Sequence, residues 1–160
     1  MRNIALLLVC MSFLIGCHRF PGNADVDAFF VNIEKTQATR GSYEMARRFL
    51  TSIRDPDSTS EDRVVELFLK RLAAYYLKSK DPNVLRAVDD TPINGGFANF
   101  ICGFYSAVIE SPAALQHYRN SCEGLRRCIG ITFSPEEADS ICSSKETGKS
   151  AQRMGRGERE

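Results

Sequence analysis

The chain has 160 residues, of which 43% are hydrophobic and 26% are charged. This length accommodates one domain of ordinary size. With 21 Lys and Arg against 20 Asp and Glu, the formal net charge is +1. We expect no nucleic-acid partner, because nucleic-acid binding requires clustered basic side chains that neutralise phosphates. Two histidines leave few groups for metal binding or acid–base chemistry.

The first residues have the organisation of a secretory signal. Arg2 supplies a positive charge, and an apolar run follows over residues 4–15. The run is too short for a transmembrane helix, which needs about 20 residues to cross a ~30 Å hydrocarbon core. A charged start followed by a short apolar stretch is typical of a cleaved signal peptide. We therefore predict a signal peptide over residues 1–16.

The end of this segment, Leu14-Ile15-Gly16-Cys17, resembles the lipobox of bacterial lipoproteins. The resemblance implies that Cys17 is acylated, with palmitate among the chains, and that residues 17–23 form a lipidated tether. Two or more acyl chains anchor a protein stably, whereas one gives marginal binding. In that family an Asp after the cysteine retains the protein at the inner membrane. His18 stands there in this chain, which implies the periplasmic face of the outer membrane. The alternative is an ordinary secretory peptide with an incidental cysteine.

Four cysteines remain for the folded domain once Cys10 leaves with the signal peptide and Cys17 carries lipid. They are Cys102, Cys122, Cys128 and Cys142. An even number in an oxidising compartment predicts two disulfides. Their spacing does not match the paired ligands of zinc sites, and we predict no metal. A catalytic cysteine would need a free thiolate, which paired cysteines do not offer.

Apolar residues recur at helical spacing over residues 24–144, and no segment shows the sustained alternation of a strand. We predict an all-α fold, a compact bundle of about six to seven helices with two disulfides. The predicted capping residues are Asn23, Ser42, Ser58, Asp81, Ser111 and Ser134, and Gly95-Gly96 opens a further helix. The last three caps each precede a proline, which is favoured at the first helical position. The helix from Ser58 to about Lys80 is apolar on most sides, and we place it at the centre of the bundle.

A disulfide pairing follows from the predicted turn at Ser111-Pro112. If the flanking helices are antiparallel, Cys102 lies nine residues before the turn and Cys122 eleven residues after it. At 1.5 Å per residue the two differ by only ~3 Å in height. We therefore predict Cys102–Cys122, which leaves Cys128 to pair with Cys142.

Residues 145–160 carry many charges and one apolar side chain of any size. This segment has too little apolar surface to order itself, and we predict a disordered polar tail. Its basic balance leaves contact with anionic lipid as the alternative.

The longest polar interruption inside the predicted domain spans residues 89–96. We predict that Asp89, Asp90 and Asn94 form an exposed loop that binds a protein partner, since rigid scaffolds commonly present binding residues on loops. A plain connection and an acid–base site are the alternatives. Adjacent aspartates at a helix end should point in different directions, which disfavours the acid–base site.

Two further patterns bear on binding. Residues 55–66 are similar in part to a calcium-binding EF-hand loop, but Ser60 stands where the sharp turn needs glycine, and we predict no calcium site. Most of the many aromatic side chains are expected in the core. Phe30 and Tyr105 are candidates for exposed interface anchors.

The segment Phe97–Ile109, FANFICGFYSAVI, resembles immunity proteins of type VI secretion amidase effectors. This resemblance implies a protein that neutralises a secreted antibacterial toxin in the periplasm. The alternative is a pilotin-like or assembly lipoprotein of a secretion or envelope machine. A protruding or charged loop would favour the first, and an apolar groove for a partner helix would favour the second. No nucleophile–base pair is visible, and we expect a non-enzymatic protein without a cofactor.

Overall fold

The computed structural model describes residues 19–36, 38–93, 95–112 and 118–144, together with the backbone of 145–154. Within these residues the chain forms seven α-helices and a short 3-10 turn, with no β-strand. The helices are α1 (Asn23–Ile33), α2 (Arg40–Ile53), α3 (Thr59–Ser79), α4 (Pro82–Asp89), α5 (Phe97–Glu110), α6 (Tyr118–Arg126) and α7 (Pro135–Met154). The predicted all-α bundle with two disulfides is confirmed.

Three of the predicted helix starts are confirmed by their capping hydrogen bonds. At α3, the Ser58 hydroxyl accepts a hydrogen bond from the Glu61 amide. At α7, the Ser134 hydroxyl accepts from the Glu137 amide at 3.1 Å, and the Glu137 carboxylate accepts from the Ser134 amide at 2.8 Å. Asp81 caps α4. These side chains satisfy amides that have no partner within their helices.

Two predicted starts were wrong by one to three residues. Asn23 is the first residue of α1, and Gly22 precedes it with its amide bonded to the Asp25 carboxylate at 2.7 Å. Ser42 lies inside the first turn of α2, where its buried hydroxyl donates to the Thr39 carbonyl at 2.7 Å. A serine hydroxyl can bond a carbonyl three residues earlier as well as cap a helix, which explains the second error.

The bounds of the two C-terminal helices are described only in part. The helix expected to start at Ser111 is described from Tyr118 onward, because residues 113–117 lie outside the described part of the chain. The last helix is described as far as Met154, ten residues past the predicted domain boundary at residue 144, and the disordered tail stays a prediction. Residues 155–160 lie outside the described residues.

Helix α3 lies at the centre of the bundle, as predicted, and contacts α1, α4 and α5. Its buried side chains are Val65, Phe68, Leu69, Leu72, Ala73, Tyr75 and Tyr76. Phe68 packs on Phe49 of α2 with ring centroids 4.3 Å apart, and on Phe29 of α1 at 4.9 Å. This aromatic cluster joins the three N-terminal helices through offset and edge contacts.

Candidate functional site

The disulfides of the domain join Cys102 to Cys128 and Cys122 to Cys142, each with a Cα–Cα distance of 5.8 Å. The predicted pairing was therefore wrong for all four residues. The first bond ties α5 to the segment after α6, and the second ties α6 to α7.

The register between α5 and α6 explains the error. The two helices pack together, with Gly124 of α6 against the ring of Tyr105 on α5; a Cβ built on Gly124 would overlap that ring. Tyr105 and Gly124 lie opposite each other in an antiparallel pair. The residue three positions before Tyr105 therefore lies opposite the residues three or four positions after Gly124. That geometry faces Cys102 toward Cys128. The prediction assumed a tight turn at residues 111–112, which placed Cys122 there instead.

The adjacent aspartates Asp89 and Asp90 point in different directions, as expected at the end of a helix. The Asp89 carboxylate accepts a hydrogen bond from the Tyr105 hydroxyl at 2.6 Å. The Asp90 carboxylate accepts from the Tyr43 hydroxyl at 2.7 Å. Arg127 donates to the Asp89 carbonyl at 2.7 Å. Both carboxylates therefore connect helices of the domain.

Asp89 and Asp90 differ in burial. Asp89 is half-buried, and this burial raises the pKa of its carboxyl above the usual value, against the opposing effects of Tyr105 and Arg127. Burial, together with the bond to Asp89, raises the pKa of Tyr105 far above its usual value. Asp89 therefore makes an internal contact with α5, and its role in partner binding stays a prediction. Asp90 stays exposed. Asn94 lies outside the described residues.

The two candidate interface anchors are core residues. Phe30 packs against Phe29 and Phe68, and only 9% of its surface is exposed. Tyr105 is fully buried. The expectation that either serves as an exposed anchor is therefore wrong, because their helical spacing matched the core face.

An apolar groove of about 400 Å³ runs between α3 and α5. We call it the α3–α5 groove. Its lining residues are Glu66, Leu69, Lys70, Asn99, Phe100, Gly103, Phe104 and Ala107. Leu69 and Phe104 are buried and form its floor, whereas Gly103 and Ala107 are exposed on one side of α5. A Cβ built on Gly103 meets no atom within 4 Å. The small side chains leave room for another backbone to approach.

The aromatic side chains of the groove, Phe100 and Phe104, were expected in the core from their helical spacing. Phe100, Gly103 and Ala107 recur at three- and four-residue spacing, which places them on one face of α5. Two small residues on one face of an otherwise bulky helix are the signal that could have indicated the groove. Glu66 and Lys70 stand exposed on the opposite wall and offer one charge of each sign. An amphipathic helix laid in such a groove would bury its apolar face.

Two open clefts of about 720 and 740 Å³ flank residues 54–57, between the end of α2 and the start of α3. Arg54 and Asp55 form an ion pair at 3.0 Å in their shared wall, and the Asp57 amide donates to the Glu61 carboxylate. Across the described part of the chain, no three acidic, Cys or His side chains are grouped as metal ligands. No helix in the described ranges is long and apolar enough to cross a membrane.

Comparison with protein-family models, with curated proteins and with solved structures finds no match to this chain.

Proposed function

We propose that this chain is a lipid-anchored periplasmic protein that binds a helix of a partner protein in the α3–α5 groove. The observation that carries the proposal is the groove itself: buried Leu69 and Phe104 at its floor, with exposed Gly103 and Ala107 beside them. The apolar face of a partner helix would cover this surface, and burial of apolar surface is favourable by about 25 cal/mol per Å².

Rigidity supports a role in binding. The Cys102–Cys128 bond starts from α5, one wall of the groove, and Tyr105 on the same helix is held by Asp89. A wall fixed in this way loses little conformational entropy when a partner docks, which favours affinity.

Toxin neutralisation is the first candidate for the purpose of this binding. The segment that resembles immunity proteins of amidase effectors is α5, the helix that supplies one wall of the groove. A toxin held there would be blocked before it acts in the periplasm. Asp90 stays exposed at the end of α4 and offers an acidic contact beside this scaffold.

Assembly of a secretion or envelope machine is the second candidate, favoured by the apolar character of the groove. A pilotin-like lipoprotein would hold a helix of its client until the client reaches the outer membrane. Both candidates share the groove and the lipid anchor, and they differ only in the partner.

Capture of the lipidated protein from its own periplasm, followed by mass spectrometry, tests the proposal. The groove variant is Gly103→Leu, which adds a side chain where a Cβ meets no atom, and the matched control is Val31→Leu on the exposed side of α1. We expect wild type and Val31→Leu to retain one partner that Gly103→Leu loses.

The identity of the captured protein decides between the candidates. A secreted antibacterial enzyme supports toxin neutralisation, and a component of a secretion or envelope machine supports assembly. Equal capture by the Gly103→Leu variant would overturn the groove as the binding site. Recovery of no partner would overturn the proposal as a whole.

A further inference from the structure

Helices α3, α5 and α7 begin at the same end of the bundle, and α1 runs in the same direction. Asp27 of α1 pairs with Arg71 of α3, and the Ile33 carbonyl farther along α1 accepts from Tyr75 farther along α3, so the two helices run parallel. Helix α5 also runs parallel to α3. Asp62 of α3 and Phe97 of α5 line one cleft, and seven residues later in each helix Leu69 and Phe104 line the α3–α5 groove. Thr132, three residues before α7, bonds to Asn99 in the first turn of α5, so α7 also starts at this end. The starts of α3, α5 and α7 therefore define one end of the domain, which we call the anchor end.

The lipidated tether reaches the domain at the anchor end. Arg19 and Phe20 line a cleft with Arg48 near the end of α2, Asp55 in the connection and Glu61 in the first turn of α3. Phe20 packs against the core. Arg19 follows Cys17 by two residues, a distance that an extended chain spans in about 7 Å at most. A lipid on Cys17 would therefore hold this end of the domain close to the bilayer surface.

An exposed apolar loop lies at the same end. Residues 129–133 connect α6 to α7, and we call them the Gly130 loop. Ile129 is 38% exposed and Ile131 is 46% exposed, although both are large apolar side chains. The other large apolar side chains exposed in the described residues, Val31 and Leu67, lie on helices.

The Gly130 loop is held in one shape. Gly130 has φ +78°, in the left-handed region that favours glycine, and its amide donates to the Phe133 carbonyl at 2.8 Å. The Ile131 amide donates to the carbonyl of Cys128, whose side chain is bonded to Cys102. The two isoleucines are therefore presented by a fixed turn.

One hydrogen bond and two adjoining clefts link the loop to the tether. The Thr132 hydroxyl bonds to the Asn99 side chain at 2.9 Å. Asn99 lines the cleft that contains Asp55 and Asp57, and these two residues also line the cleft that holds Arg19. The loop and the tether therefore flank the same pair of adjoining clefts.

We propose that the Gly130 loop contacts the lipid bilayer and that Ile129 and Ile131 insert between the lipid headgroups. The inference depends on the lipid anchor of the proposed function, because the two-residue spacing from Cys17 brings this end to the membrane. The anchor end carries both arginines and carboxylates, so the contact is apolar rather than a response to anionic lipid. The loop thereby fixes the orientation of the domain, which turns the opposite end toward the periplasm.

The absence of tryptophan from the chain permits a direct test. Two single-tryptophan variants of the full lipidated protein, Ile131→Trp and Val31→Trp, are reconstituted on vesicles of phosphatidylethanolamine and phosphatidylglycerol. The vesicles contain a lipid with a spin label near the headgroup, which quenches only tryptophans within its reach. We expect the label to lower the fluorescence of Ile131→Trp at least twofold and to leave Val31→Trp nearly unchanged, at both low and high salt.

Flotation with the vesicles separates failure of the loop contact from failure of the anchor. If both variants float but Ile131→Trp is quenched no more than Val31→Trp, the loop does not touch the bilayer and only this inference fails. If neither variant floats, and a Cys17→Ala form behaves the same, the lipid anchor is wrong and the inference fails with it. Quenching that disappears at high salt would also overturn the apolar contact.

Discussion

Gly124 of α6 lies against the ring of Tyr105 on α5, at a distance that leaves no room for a Cβ. This contact lets the two helices approach closely and sets their register. The same register brings Cys102 to Cys128 and directs the Tyr105 hydroxyl to Asp89. One glycine thus determines the geometry of the wall that supports the α3–α5 groove.

Gly124→Ala should destabilise the domain, because the added methyl would have to push the Tyr105 ring or the helix aside. Overpacking of this kind costs about 1–3 kcal/mol. Gly103→Ala is the matched control, since its Cβ meets no atom within 4 Å on the exposed side of α5. Replacing that helical glycine should stabilise the domain by roughly 0.5–1 kcal/mol. Urea unfolding of both variants measures the two effects, and a stability loss of equal size in both would contradict the contact.

The disulfide connectivity can be determined by peptide mapping without reduction, at the slightly acidic pH at which trypsin still cleaves and disulfide exchange is slow. Trypsin alone leaves Cys128 and Cys142 on one peptide, so a second cleavage after Glu136 or Glu137 is needed to separate them. We expect the Cys102 peptide linked to the Cys128 peptide, and the Cys122 peptide linked to the Cys142 peptide. A Cys102–Cys122 link would show that the register drawn from Gly124 is wrong. Each bond closes a loop long enough to contribute about 3 kcal/mol to stability.

Asp81 should matter more than an ordinary helix cap. Its side chain is 1% exposed, and it accepts from the Asn83 amide at 2.9 Å and from the Ala38 amide at 2.8 Å. Asp81→Ala leaves two amides without their acceptor and should cost about 2–3 kcal/mol. Ser58→Ala, at an exposed cap, should cost about 1 kcal/mol. Thermal or urea unfolding compares them, and equal losses would show that burial does not strengthen the Asp81 contacts.

Asp89 should make stability depend on pH in the acid range. Its carboxyl titrates near 3.8 in an unfolded chain, whereas burial raises its pKa in the folded domain. Between these two values the folded state holds the proton that the unfolded state has lost, so the free energy of unfolding falls as pH rises. This contribution is fully present below pH 3.8 and is lost as pH rises through the folded pKa. Asp89→Asn should remove this part of the fall in the free energy of unfolding with rising pH.

Tyr105→Phe supplies the companion measurement. The hydrogen bond from Tyr105 lowers the pKa of Asp89, against the larger effect of burial. Without the hydroxyl, the folded pKa of Asp89 should rise further and the loss of stability should extend to higher pH. An unchanged pH profile in both variants would contradict the assignment of this decline to Asp89.

Local sequence patterns predicted the helices well because caps and apolar spacing act within a few residues. Ser58, Asp81 and Ser134 each carry a capping oxygen directly before the helix that the structure shows. Such patterns could not predict the disulfide pairing, because the pairing depends on the register between two helices that are separated in the chain. The Gly124–Tyr105 contact that fixes this alignment joins residues far apart in the chain.

The candidate site was predictable only in part for the same reason. Asp89 and Asp90 form a polar patch in the sequence, yet Tyr105 and Tyr43 of other helices donate hydrogen bonds to them. The α3–α5 groove depends on which side of α5 the bundle leaves uncovered. Periodicity identifies the faces of a helix but not the neighbours that cover each face.

Site-specific photo-crosslinking in living cells tests the central claim most directly. A photoreactive amino acid at position 107 lies on the exposed side of the α3–α5 groove, and the control at position 31 lies on α1. The account predicts an adduct from position 107 to one helical segment of one partner, suppressed by Gly103→Leu and absent from position 31. No adduct from position 107, or the same adduct from both positions, would contradict it.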